Sequence, residues 1–103
     1  MRLTPEQLKV FDALARRYFG EDAELWLFGS RADDRKKGGD YDFLVETSIS
    51  DADEIIERKI ALLAELQDTT QFEDEKIDII VKRRAFAFEA PIYKVAKYEG
   101  VRI

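Results

Sequence analysis

The sequence predicts an α/β (α+β) fold in which helices flank a small mixed β-sheet. Stretches with helical spacing of apolar residues alternate with short runs of aromatic and β-branched residues. Strands set between helices imply a sheet covered by those helices. A length of 103 residues at 46% hydrophobic content supports one core and leaves no room for a second. The expected organisation is one domain over residues 1–103.

Thr4-Pro5-Glu6-Gln7 reads as a helix start: a hydroxyl N-cap, a proline where its missing N–H is harmless, and Gln7 to complete a capping box. Leu8, Phe11, Ala15 and Tyr18 then form an apolar stripe, and Gly20 supplies the stop. "AELWLF", residues 23–28, halts at Gly29 as a buried strand would. "YDFLVE" from Tyr41 is the second strand, with Tyr41, Phe43 and Val45 on one face and Asp42 and Leu44 on the other. Ser50 to Asp53 cap a second helix, whose expected core stripe is Ile56, Ile60, Leu63 and Leu66 and whose end falls near Gln67 or Asp68. "KIDIIV", residues 76–81, is the third strand. A last helix is expected around residues 88–98, with Pro91 blurring its start, and a terminal strand at Val101 to Ile103.

Composition narrows the chemistry. Net charge is −5 and the isoelectric point near 4.8, which opposes tight binding to a duplex DNA backbone. Neither cysteine nor histidine is present, so disulfides, thiolate or imidazole metal sites and imidazole acid–base catalysis are excluded. Oxygen ligands remain, and they suit a hard cation such as Mg²⁺ or Mn²⁺. No basic-then-apolar leader opens the chain and no apolar run nears the roughly 20 residues of a membrane span, so a cytoplasmic protein without membrane association is expected.

"GSRADDRKKGGDYDFLV" holds the candidate site. Asp40 and Asp42, one residue apart in an extended segment, project to the same side with Cα atoms roughly 6.5–7 Å apart, and can share one ion. Sites that move phosphoryl groups use two ions about 3.5–4 Å apart, which bridging carboxylates hold. Asp78, inside an apolar strand, is the candidate third acid. A carboxylate at a half-buried strand position needs a compensating charge, either a metal or Lys76, whereas a lone strand aspartate at a sheet edge needs none. Gly29 and Ser30 form a turn able to approach phosphate oxygens, with Arg31 adding charge. Arg35, Lys36 and Lys37 either reach phosphates or form solvated surface. Asp51 and Asp53 repeat the Asp-x-Asp pattern, but helix capping explains them.

"FGSRADDRKKGGDYDFLV" followed by "KIDIIV" resembles the DNA polymerase beta-like nucleotidyltransferases, and in particular the minimal nucleotidyltransferases of toxin–antitoxin pairs. Nearly the whole chain is covered. The resemblance implies the nucleotidyltransferase fold, with Gly29, Ser30 and Arg31 at the nucleotide phosphates, Asp40 and Asp42 on two Mg²⁺ ions, and Asp78 completing the metal site and assisting deprotonation of a hydroxyl. It further implies ATP or another nucleoside triphosphate as substrate and transfer of AMP to a tyrosine of a HEPN ribonuclease toxin. Many relatives continue Gly-Ser with Arg-Ala-Arg-Gly and place Ser before the first Asp. This chain has Asp33-Asp34 after Ala32, and Gly39 before Asp40.

Two other readings stand beside it. "AFAFEAPIYKVAKY" carries Phe86, Phe88, Tyr93 and Tyr98, aromatic residues that either anchor a partner for a non-catalytic binding module or finish a small core. Transfer to a small molecule would need a substrate-binding domain for which the chain has no room.

Overall fold

A computed structural model describes residues 1–86 and 90–103. Helix α1 spans Pro5–Phe19, strand β1 Glu24–Phe28, β2 Tyr41–Thr47, helix α2 Ala52–Gln67, β3 Ile77–Arg83, α3 Pro91–Glu99 and β4 Val101–Arg102. A single 3₁₀ turn, Gly29–Ala32, follows β1.

The four strands lie in the order β3-β2-β1-β4, with β2 and β3 parallel and both pairings of β1 antiparallel. The sheet is thus mixed, as expected. Alternation along the strands sorts side chains between two layers. Leu25, Leu27, Tyr41, Phe43, Val45 and Ile79 face α1 and α2, and with Phe11, Ala15, Phe19, Ile55, Leu62, Leu66 and Phe72 they make the main core. Phe11 stacks on Phe43 with ring centroids 3.7 Å apart. Trp26, Phe28 and Leu44 face the other way and pack with Ala96 of α3.

The start of α1 follows the predicted capping box: Thr4 Oγ1 accepts from Gln7 N at 3.0 Å and Gln7 Oε1 accepts from Thr4 N at 3.0 Å. Its buried file is Gln7, Phe11, Ala15 and Phe19, displaced from the expected stripe because Phe19, beside the Gly20 stop, is the residue that reaches the core.

In α2 the expected stripe is rotated. Ile55, Leu62 and Leu66 are buried, while Ile56 and Ile60 are 55% and 64% exposed. Apolar residues occur on adjacent sides of this helix, so spacing alone does not choose a face. Tertiary contacts choose, among them Arg58 Nη1 donating to the Tyr18 carbonyl at 2.7 Å. The last helix begins at Pro91, with proline at its first position, rather than near residue 88. Phe88 lies outside the described residues.

Among the described residues, no helix is long and apolar enough to cross a membrane.

Candidate active site

Tyr41 fixes where its neighbours point. The ring is buried against Phe72, its hydroxyl accepts a 3.0 Å hydrogen bond from Gln7 Nε2, and the Arg31 guanidinium lies 4.2 Å from its centroid. With Tyr41 turned into the core, strand alternation sends Asp42 to the α3 side of the sheet. Asp40 stands just ahead of β2, in the incoming loop.

Parallel pairing of β2 with β3 brings in the third acid. Tyr41 pairs with Ile77, Asp42 with Asp78 and Phe43 with Ile79. Adjacent strands lie about 4.8 Å apart, so Asp42 and Asp78 are immediate neighbours on one face. The Asp42 carboxyl is pushed above the usual carboxylate range, first by burial, then by the negative charges of Asp78 and Asp40.

One expectation is corrected here. Asp78 is not half-buried but exposed, because β3 is the edge strand of the sheet, the alternative weighed for a lone strand aspartate; the half-buried acid is Asp42. Lys76 is not its partner, and among the described residues none of Asp40, Asp42 and Asp78 has a cation paired to it. The acids are neighbours without being clustered: no group of three or more carboxylates is gathered as a metal cage among the described residues. Mutual repulsion of like charges opposes closer convergence. Carboxylate oxygens are nonetheless the donor type that hard divalent cations take, and a half-buried acid raised by its own neighbours is stabilised by such a charge.

The Gly-Ser turn lies directly against Asp42. Gly29 has φ +71°, and a Cβ there would run into Asp42 Oδ2. Gly39 has φ +97°, and a Cβ there would meet Ser30 Oγ. Two glycines therefore allow the loop to fold onto both the acid and the serine. Gly29, Ser30, Ala32, Asp33, Asp34, Arg35 and Lys36 line an open cleft of about 750 Å³, together with Tyr98 and Glu99. None of Asp40, Asp42 and Asp78 lines it; Asp42 adjoins it through Gly29.

Residues 8–101 match the family model described as the nucleotidyltransferase domain. The chain belongs to that family. Comparison with curated proteins gives no match, nor does comparison with solved structures. Family membership makes general nucleotidyl transfer from a nucleoside triphosphate the reaction class of this fold.

Within this nucleotidyltransferase domain the basic loop residues divide. Arg35 donates to both carboxylate oxygens of Asp33, at 3.0 and 3.1 Å, and with the Arg35 N–H holds that carboxyl down to about 2. Asp34 pairs with the N-terminal ammonium of Met1. The two extra loop acids are thus each answered by a cation inside the protein. Arg31 donates from Nε to the Gly39 carbonyl at 3.0 Å and covers Tyr41, a set of contacts that braces the loop rather than lines the cleft. Lys36 does line it; Lys37 does not.

Sequence reading missed Arg2. Its Nη2 donates to the carbonyls of Ser30 at 2.7 Å and Gly38 at 2.6 Å, and its Nε to that of Asp33 at 3.1 Å. One guanidinium binds three points of the loop, a use its rigid fork suits. No local pattern marks an isolated arginine for this role. Gly39 was more accessible, since Gly-Gly before an apolar run signals a turn. A buried cluster was also missed: Glu46 Oε1 accepts from Lys82 Nζ at 3.0 Å and from Lys97 Nζ of α3 at 3.2 Å.

Proposed function

We propose that this protein is a divalent-metal-dependent nucleotidyltransferase that transfers AMP from ATP to a tyrosine hydroxyl of a HEPN ribonuclease toxin, and so acts as the antitoxin of a toxin–antitoxin pair. The observation that carries the catalytic part is the pairing of Asp42 with Asp78 across β2 and β3, beside Asp40 and under Gly29. The partner and the acceptor come from the resemblance of "GSRADDRKKGGDYDFLV" and "KIDIIV" to minimal nucleotidyltransferases.

Asp40 and Asp42 would hold Mg²⁺, with Asp78 completing the set; the all-oxygen donors suit this ion, and Mn²⁺ equally. The bound cations supply charge neutralisation for the phosphates and lower the barrier to attack on phosphorus. Gly29 and Ser30 keep the triphosphate against the carboxylates by close backbone approach and a hydroxyl donor. Asp78, exposed at the sheet edge, accepts the proton of the attacking hydroxyl. The new bond joins that oxygen to the α-phosphorus, the bond from the α-phosphorus to the bridging oxygen breaks, and pyrophosphate leaves. Positioning and electrostatics carry most of such a reaction, which is why a chain without histidine can perform it.

The test is incubation of the protein with α-labelled ATP, Mg²⁺ and a candidate toxin. Label on a toxin tyrosine is expected, and its loss with Asp42→Asn in a protein that remains folded. A second reading, neutralisation by binding alone, is favoured by Phe86, Ile92 and Val95, which are 46%, 41% and 44% exposed around α3. Toxin neutralisation that survives replacement of both Asp40 and Asp42 selects that reading. Tyr93, by contrast, packs into the core beneath α3.

A further inference from the structure

The four tyrosines have different surroundings. Tyr41 is buried, Tyr18 packs against the main core and Tyr93 against the smaller one. Tyr98 is 90% exposed, and among the described residues neither another ring nor a cation lies on it. A single exposed aromatic would need no explanation on an open surface. This one lines the same cleft as Gly29 and Ser30.

Its position is also fixed. Ala96, two residues before it, is fully buried under the sheet, and Gly100, two residues after, leaves no room for a Cβ against the Leu27 carbonyl and Phe28 Cβ. Gly100 N donates to the Ala96 carbonyl at 3.0 Å. The end of α3 is thereby held onto the end of β1, the strand that leads directly into Gly29. The ring and the glycine-serine turn both line one volume of about 750 Å³, within the usual size range of small-molecule sites.

We propose that Tyr98 is the base platform of this cleft: its ring stacks on the nucleobase of a nucleoside triphosphate whose phosphates lie at Gly29 and Ser30. The assignment rests on the nucleotidyl-transfer reading above. An uncovered ring face gains from a flat heteroaromatic partner, and stacking tolerates any base while favouring the larger purines. Tyr98 then contributes to nucleotide affinity without touching the reacting phosphorus, and the phenolic hydroxyl is dispensable.

The test is calorimetric binding of ATP and of inorganic tripolyphosphate, each with Mg²⁺, to the wild type, Tyr98→Ala and Tyr98→Phe, with melting temperatures measured in parallel. Tyr98→Ala is expected to weaken ATP about ten-fold, to leave tripolyphosphate affinity and melting unchanged, and Tyr98→Phe to behave as wild type. Unchanged ATP affinity in Tyr98→Ala overturns the platform and leaves the nucleotidyl-transfer reading intact. Equal loss of both ligands overturns it too, since the ring would then be shaping the phosphate site. A wild-type protein that binds neither ligand overturns the platform together with the transfer reading beneath it.

Discussion

Two pairs of residues on the same face of the same two strands meet opposite electrostatic fates. Asp42 pairs with Asp78, and two periods of alternation further along Glu46 pairs with Lys82, with Leu44 and Ile80 between them. Geometry is shared; charge is not. Burial pushes the Glu46 carboxyl up, but hydrogen bonds from Lys82 and Lys97 outweigh it and hold it below its ordinary range. Asp42 is pushed up by burial and is raised further by its neighbours. Glu46 with Lys82 is a structural solution to a buried charge, and Asp42 with Asp78 a strain left standing beside a cleft. An acid without a cation, on a scaffold that supplies one four residues away, is the contrast on which the proposed metal-binding role of Asp42 rests.

The strongest way to break this contrast is to copy one solution onto the other. Asp78→Lys gives Asp42 a cation and removes an acid, so nucleotidyl transfer should fall by about 10³-fold or more while the fold becomes no less stable; initial rates with labelled ATP and thermal melts read the two effects. Glu46→Gln runs the opposite way. It removes the carboxylate that Lys82 and Lys97 share, and about 3 kcal/mol of stability should go with it by urea unfolding. Because the Glu46 carboxyl is lowered, that contribution is present above its unfolded value and fades as pH falls through its folded one, so the difference from wild type should shrink in acid.

Gly29→Ala should destabilise by about 2 kcal/mol, since it forces a side chain at φ +71° and into Asp42. The double variant with Asp42→Gly should recover part of that loss, which a thermodynamic cycle measures. Smallest is Asp42→Asn alone, expected to stabilise by no more than about 1 kcal/mol because solvent screens one side of the residue. Its sign is fixed by the raised carboxyl: ionisation opposes folding, so the gain should appear as pH rises through the folded value and vanish in acid. A wild type that is the more stable of the two at neutral pH contradicts the strain.

Much of this was legible in the order of residues. The capping box at Thr4 to Gln7, the strand positions to within two residues at either end and the mixed layering follow from local chemistry and alternation, and the structure has them. The neighbourhood of Asp42 and Asp78 was readable because both sit one residue inside parallel strands. Local pattern failed where a choice depended on distant contacts. Ile55 and Ile56 are equally apolar, and only packing against α1 and the sheet decides which turns inward. The exposure of Asp78 depends on strand order, which no single strand encodes. Arg35 read equally as a phosphate contact or as solvated surface, yet it closes on Asp33, and no local pattern marks Lys82 for burial against Glu46.

Arg2 gives the molecule an unexpected dependence. The loop that overlies the acids is tied, through three carbonyls, to a side chain near the opposite end of the sequence from Asp78. Fraying or clipping of the opening residues would therefore slacken the mouth of the cleft while every carboxylate stayed in place. Preparations that differ only in the integrity of that first stretch would then differ in turnover, and in melting temperature as well, since Met1 and Leu3 pack against the main core.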